Sequence, residues 1–424
     1  MLRNSSGLPE GRRDFLMQVA ATSALLLSRR GLGLAEVAPA SVSIEPAVSI
    51  GVIGLGAWGR EMLETLARLP GARVAAIADT YAPFLKKGLA AVPSARALSD
   101  GRAVIDAADV EAVVVCTPTY RHKDLALAAL QAGKHVYCEA PLAASMDEAR
   151  AVASAALASK VVFQGGLQGR SNALRRHVAQ FVKSGVLGTP VMASAHWARK
   201  DSWRRAAPTP AREAELNWRL SAATSPGLAG EVGIHAFDLV SDYLGSMPVA
   251  ATGYGTVVHW KDGRDVADTV QCLLDYPGGV RLLWEATLAS STGGAFTLVR
   301  GANSSVMIRD HRAWLFKEAD SPLLGWEVYA RKESVLEETG IALIADSTRI
   351  LAAGEEPGKV GSVEPARDPL VLALEAFLSA VRNGTANPCG PQEALRATVV
   401  ALQTEAAVRM GGRVALPSEA LEPA

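Results

Sequence analysis

Three glycines and one carboxylate carry the first chemistry legible in this chain. Gly54, Gly56 and Gly59 stand as G-x-G-x-x-G, with Leu55, Ala57 and Trp58 between them, and Asp79 follows twenty residues after Gly59. In such a pattern the first glycine permits a tight turn, the second lets backbone approach a pyrophosphate, and the third lets a helix pack closely on a strand. The helix that follows turns its unpaired N–H groups and the positive end of its dipole toward phosphate. A carboxylate at Asp79 accepts bonds from adenosine ribose hydroxyls and repels a 2′-phosphate, which points to NAD rather than NADP. A glycine turn alone is a weak signal, and Asp79 also reads as a helix cap or turn residue.

These residues meet only if the chain around them folds as strand, turn, helix and strand. Ile50, Val52 and Ile53 form a short apolar run, Glu61 to Leu66 follow a helical pattern, and Arg73 to Ala78 read as a second buried strand ending at Asp79. The pattern predicts strands over 49–53, 73–78, 111–116, 134–138 and 160–164, with helices over 58–68, 82–90, 102–106, 121–132 and 145–158. Alternation of this kind implies an α/β Rossmann fold, a doubly wound parallel sheet with its ligand across the carboxyl ends of the strands. Two of those ends run into Cys116-Thr117-Pro118-Thr119-Tyr120-Arg121-His122 and Cys138-Glu139-Ala140-Pro141. Thr117, Pro118 and Glu139 are therefore expected beside the cofactor with Ala57 and Trp58, the prolines stiffening backbone near the nicotinamide ribose. His122 reads equally as a cofactor contact, a cap or a surface residue.

At 424 residues, 49% of them hydrophobic and 20% charged, the chain suffices for two domains with full cores. Lys plus Arg balance Asp plus Glu at 43 each, which leaves no electrostatic case for nucleic acid. Residues 1–40 read as a targeting segment: Gly11-Arg12-Arg13-Asp14-Phe15-Leu16 resembles a twin-arginine signal, followed by an apolar stretch from Val19 to Leu27 and a small-x-small site at Ala38-Pro39-Ala40. Export through the twin-arginine machinery to the periplasm is the expectation, with cofactor loaded before export. The apolar stretch is too short for a permanent membrane span. Cysteines 116, 138, 272 and 389 show no metal-ligand spacing, so no metal is expected; they read as small buried residues, with a disulfide left open.

The Rossmann domain is placed at 48–165 and a second domain at 166–424, including helices over 369–411. After a helix at 172–184, segments at 190–198, 248–260, 267–276, 279–287, 295–300 and 304–309 alternate as strands. They predict an α+β domain with a large, mostly antiparallel, open-faced sheet. Between 197 and 220 lie Trp197, Arg199, Trp203, Arg204, Arg205, Trp218 and Arg219. Aromatic faces stack on sugar rings and guanidinium groups bind hydroxyls or carboxylates, although a surface loop with one or two buried tryptophans is the alternative. The segment 311–366 reads as a lid, an oligomer arm or a passive insertion.

With its glycine motif, Cys116-Thr117-Pro118…His122 and Gly133-Lys134-His135-Val136-Tyr137-Cys138-Glu139-Ala140-Pro141, the chain resembles the Gfo/Idh/MocA oxidoreductase family from residue 49 onward. The resemblance fails at Ala140, where that family carries the lysine implied to polarise the substrate hydroxyl. Either Lys200, Arg170 or Arg199 supplies the charge, or the chemistry is altered. Gly230-Glu231-Val232-Gly233-Ile234-His235-Ala236-Phe237-Asp238 resembles the family's D-x-G-x-H turn, with Glu231 in place of the aspartate. The resemblance implies His235 as general base or acid, a role suited to an imidazole, and Glu231 as the holder of substrate hydroxyls. Arg170, Trp218 and Arg219 join them as substrate contacts, and Asp238 orients or caps. The implied activity is NAD-dependent hydride transfer at a carbohydrate or polyol hydroxyl, in a homo-oligomer, either dimer or tetramer. Ala140 and export keep open an NAD-dependent glycosidase working through transient oxidation and elimination. A third reading is a protein that binds sugar and cofactor without turnover.

Overall fold

Apolar runs and helical spacing produce the first layer much as the sequence predicts. The computed structural model describes residues 46–323, 327, 330–343 and 368–423; residues 1–40, where the sequence leads one to expect a twin-arginine signal, lie outside them. The chain alternates β1 (Val48–Ile53), α1 (Ala57–Arg68), β2 (Ala72–Ala78), α2 (Ala82–Ala91), β3 (Arg96–Leu98), α3 (Gly101–Ile105), β4 (Ala112–Val115), α4 (His122–Gln131), β5 (His135–Glu139), α5 (Met146–Ala158) and β6 (Phe163–Gly166). Among the described residues the six strands form a parallel sheet in the order β3-β2-β1-β4-β5-β6. The order reverses between β1 and β4, so a crevice opens at their carboxyl ends. β1 and β4 are buried along their whole length, which explains their unbroken apolar runs. Helix α1 covers them with Met62, Leu63 and Leu66, spaced to share one face.

The second half runs α6 (Ala173–Lys183), β7 (Pro190–Ala198), α7 (Pro210–Leu216), α8 (Ile234–Leu244), β8 (Ala250–Thr256), β9 (Thr269–Asp275), β10 (Arg281–Thr287), β11 (Ala295–Gly301), β12 (Ser304–Arg309), β13 (Arg312–Lys317), β14 (Lys332–Val335), β15 (Glu338–Ala342), α9 (Pro369–Asn383), α10 (Pro391–Met410) and β16 (Arg413–Ala415). Among the described residues ten strands form one sheet, ordered β14-β15-β13-β12-β11-β7-β10-β9-β8-β16. Its pairs are antiparallel except β7 with β10, so the sheet is mostly antiparallel, as the sequence predicts, with one parallel seam. The chain leaves β7 through α7 and α8 before returning as the β8-β9-β10 meander, so β10 enters beside β7 in the same direction. Alternation along β10 buries Leu282, Trp284 and Ala286 on the inner face and leaves Leu283 exposed. Phe237 of α8 meets Trp284 edge-on, ring centroids 5.1 Å apart.

Two assignments change. Helix α9 belongs to the first core, not the second: Leu370, Leu374 and Phe377 pack with Ile50, Val52 and Tyr137. Phe377 meets Tyr137 edge-on at 5.7 Å, and Gln164 donates to the Ala373 carbonyl at 2.9 Å. An apolar helix stripe docks wherever a matching face lies open, whatever its distance along the chain. The segment after residue 311, where described, extends the sheet as β13, β14 and β15, and its remaining residues lie outside the described set. The four cysteines are free thiols.

Candidate active site

The glycine turn joins the ends of β1 and β4. Gly54 has φ +93°, and a Cβ there would fall 2.7 Å from the Cys116 carbonyl carbon and oxygen. A Cβ on Gly59 would fall 1.9 Å from the Gly54 oxygen, so only glycine lets α1 approach this closely. Gly56 is different: a Cβ there meets nothing within 4 Å. Gly56 is also the N-cap of α1 and offers no side-chain cap, leaving the first helical N–H groups available. Asp79 accepts from the Leu55 N–H and the Tyr81 N–H, each at 2.7 Å, and burial raises its pKa against those bonds. The Thr117 hydroxyl, at the end of β4, is buried without a hydrogen-bond partner among the described residues. An open cradle over Gly56, an uncapped helix N-terminus, an orphaned hydroxyl and a carboxylate closing β2 fit NAD. Gly54, Gly56, Ala57 and Gly59 would shape the pyrophosphate turn, Asp79 would take the adenosine ribose, and Thr117 with Pro118 the nicotinamide side.

At the end of β5, Glu139 is buried. It accepts from the Gln168 amide at 2.9 and 3.2 Å, and the Trp58 side chain from the glycine turn favours its charged form. Burial pushes the Glu139 carboxyl up to about 7, assisted by the nearby Glu231 charge. His122 is not a surface residue. Its ring is buried, Nδ1 lying 2.8 Å from the Pro141 carbonyl and Nε2 2.8 Å from the Thr117 carbonyl. It staples the two loops that Thr117 and Glu139 open, while burial lowers its pKa and the two carbonyls oppose that effect.

The second half adds the remaining groups. Ala229–Gly233 forms one widened helical turn ahead of α8, and Glu231 and His235, four residues apart, lie on one face. Glu231 accepts from the Thr119 hydroxyl at 2.7 Å and from Arg219 Nε at 2.8 Å, tying the β4 loop to the tryptophan-rich segment. The Arg219 guanidinium lies 4.5 Å from the Trp218 ring and 5.8 Å from that of Trp203, while Trp218 meets Tyr120 at 6.4 Å. His235 is open to solvent and has no hydrogen bond among the described residues. Crowding by protein lowers its pKa; Asp238 raises it, Arg175 lowers it, and Glu231 raises it. A lowered value keeps the ring neutral at physiological pH and able to accept a proton.

Arg170, expected as a substrate contact, is paired with a carboxylate. Its Nε and Nη2 bond Asp238 Oδ1 at 2.9 and 2.7 Å, and Arg175 bonds Oδ2 at 2.7 Å. Burial opposes charge on Asp238, but the two guanidinium groups overcome it and hold the carboxyl below its ordinary value. This clamp fixes α8, and hence His235, against the segment leaving β6. Arg199 and Lys200 are exposed just beyond β7. Sequence reasoning missed Gln168, Thr119 and Arg175. Thr119 sits inside the loop already singled out, whereas nothing in residue type marked the other two.

The family described as "Oxidoreductase family, NAD-binding Rossmann fold" matches residues 48–167, and the GFO/IDH/MocA C-terminal domain matches 175–307. The chain is 28% identical to the uncharacterized oxidoreductase YrbE of Bacillus subtilis over 46% of its own length and 53% of that protein. It is 36% identical to inositol 2-dehydrogenase 3 of Saccharopolyspora erythraea over 34% of its length and 44% of that protein. The chain thus spans about half the length of these two curated relatives. A levoglucosan dehydrogenase structure, in complex with NADH and L-sorbose, superposes with a TM-score of 0.70 at 17% identity, covering 88% of this chain and 99% of that one.

Proposed function

The chain belongs to the Gfo/Idh/MocA oxidoreductase family, and from that premise we propose that it moves a hydride between NAD and a hydroxyl-bearing carbon of a carbohydrate or cyclic polyol. NAD, when bound, supplies the hydride acceptor or donor at its nicotinamide ring. Neutral His235 takes the hydroxyl proton at a ring nitrogen and returns it in the reverse direction. Glu231 accepts from a second hydroxyl, and Arg219 donates through the guanidinium nitrogens it does not use on Glu231. The faces of Trp218 and Tyr120 wall the sugar ring. Similarity to an inositol dehydrogenase supports a polyhydroxylated substrate. The observation that carries the reading is the Glu231 bridge between Thr119 and Arg219, with His235 one helical turn away.

The test is NADH formation with a panel of inositols, hexoses and anhydrosugars. His235→Ala should lower kcat/KM by roughly 10²- to 10⁴-fold without changing NAD affinity; unchanged turnover would remove His235 from the chemistry. Ala140 favours a second reading. Without an ammonium beside the reacting carbon, a redox-neutral glycosidase cycle with retained cofactor needs only transient oxidation, and release of nitrophenol from nitrophenyl glycosides without net NADH would select it. From the sequence we read the protein as exported by the twin-arginine route and self-associating, to be checked by fractionation of cells and by light scattering.

A further inference from the structure

Helix α7 buries none of its residues, so it contributes little to either core. It is nonetheless firmly held. Arg204 joins Glu213 of α7 to Asp262, the Asp262 bond at 2.9 Å, and the Asn217 side chain exchanges bonds with the Arg205 backbone at 2.7 and 3.0 Å. What α7 presents to the first domain is Arg212. Its guanidinium lies 4.8 Å from the centroid of the Tyr81 ring, whose own N–H bonds Asp79. Around that point stand Phe84, edge-on to Tyr81 at 4.9 Å, and Arg60, 4.9 Å over Phe84. Arg212 also acts on the charge of Asp79. One Arg212 nitrogen pairs with Glu215, while Nε is buried without a hydrogen-bond partner among the described residues.

We infer that α7 is a cofactor clasp: a second-domain helix whose Arg212, stacked on Tyr81, closes over the adenosine end of NAD and slows its release. The ribose would lie at Asp79, as the glycine turn and β2 require, and the part-exposed Arg212 guanidinium on Tyr81 would turn a nitrogen to a ribose hydroxyl or an oxygen of the adjoining phosphate. Both are acceptors that a guanidinium binds well. A clasp built on the second domain explains why an otherwise unburied helix is pinned, at Glu213 by the Arg204 side chain and at Asn217, just past its end, through the Arg205 backbone. It also suits chemistry in which the dinucleotide stays bound between turnovers.

The inference rests on NAD binding and not on the identity of the sugar, so the experiment contains no sugar. Dissociation of NAD from the purified protein is followed by tryptophan fluorescence after dilution into a trapping nucleotide. Affinities for NAD, ADP-ribose and nicotinamide mononucleotide are measured in parallel for wild type, Arg212→Gln and Arg212→Ala. Loss of a charge-assisted bond predicts NAD release faster by roughly ten- to hundred-fold, weakened ADP-ribose, and unchanged nicotinamide mononucleotide. Arg212→Gln, which keeps a donor and most of the side chain, should fall between wild type and alanine. Wild-type release rates in both variants would overturn the clasp. So would equal weakening of the adenosine and nicotinamide fragments, because that pattern marks a general structural role.

Discussion

Replacing Glu139 by Gln should flatten the dependence of stability on pH. Burial moves this carboxyl from 4.5 to about 7, against the lowering effect of bonds from Trp58, Gln168 and the Ala140 N–H. At about 1.4 kcal/mol per pH unit, that displacement is worth roughly 3 kcal/mol. The folded protein holds this proton more tightly than the unfolded chain does. The contribution is therefore fully present below pH 4.5 and is lost as pH rises through about 7. Glu405, buried beside Gly227 and bonded to Arg409, is likewise pushed up to about 7 and adds a second decline through the same window. Glutamine keeps the shape of Glu139 and cannot ionise, so it removes the first decline and leaves the second. Urea unfolding of the cofactor-free protein at pH 5 and pH 8.5 reads the difference. Wild type should lose about 2.5 kcal/mol more than Glu139→Gln between the two conditions, the remainder being already lost by pH 5. Parallel losses would refute the argument, because they would mean that Glu139 ionises in the folded state as easily as in water.

Three further substitutions probe the cradle, the Asp238 clamp and the docking of α9. Gly56→Ala should leave thermal stability unchanged, since its Cβ meets open space, yet weaken NAD about tenfold or more by filling the pyrophosphate cradle; calorimetric titration beside a melting curve separates the effects. Asp238→Asn should cost about 3–5 kcal/mol in denaturant unfolding by leaving Arg175 buried without its charge partner, and should move the acidic limb of the pH–rate profile for hydroxyl oxidation to lower pH as His235 loses an anion that stabilises its protonated form. Phe377→Ala should destabilise the first domain by about 3–5 kcal/mol, because Phe377 is fully buried against Tyr137; a loss confined to the second domain in hydrogen exchange would contradict the docking of α9.

Much of the Rossmann half was legible because its information is local. Glycine spacing, an apolar run and a helical stripe are short-range patterns, and α1, β2 and the turn between them sit where those patterns place them. The end of β4 and the end of β5 were legible as loops at the carboxyl edge of the sheet, beside the glycine turn, for the same reason. By contrast, the ligands of Asp238 lie 68 and 63 residues away, and Glu231 finds Thr119 across 112 residues. No spacing rule encodes such pairs, and Arg170 therefore looked free.

By itself the sequence determined the dinucleotide turn, the alternation that builds a parallel sheet around it, and the residue types able to hold a sugar and accept its proton. Tertiary structure alone decided that α9 completes the first core, that Arg170 is consumed by Asp238, that His122 joins two loops, and that α7 reaches Tyr81. The division has one physical cause. Backbone preference and hydrophobic period act over a few residues, whereas the choice of charge partner and docking face is made among all surfaces that chain closure brings within reach.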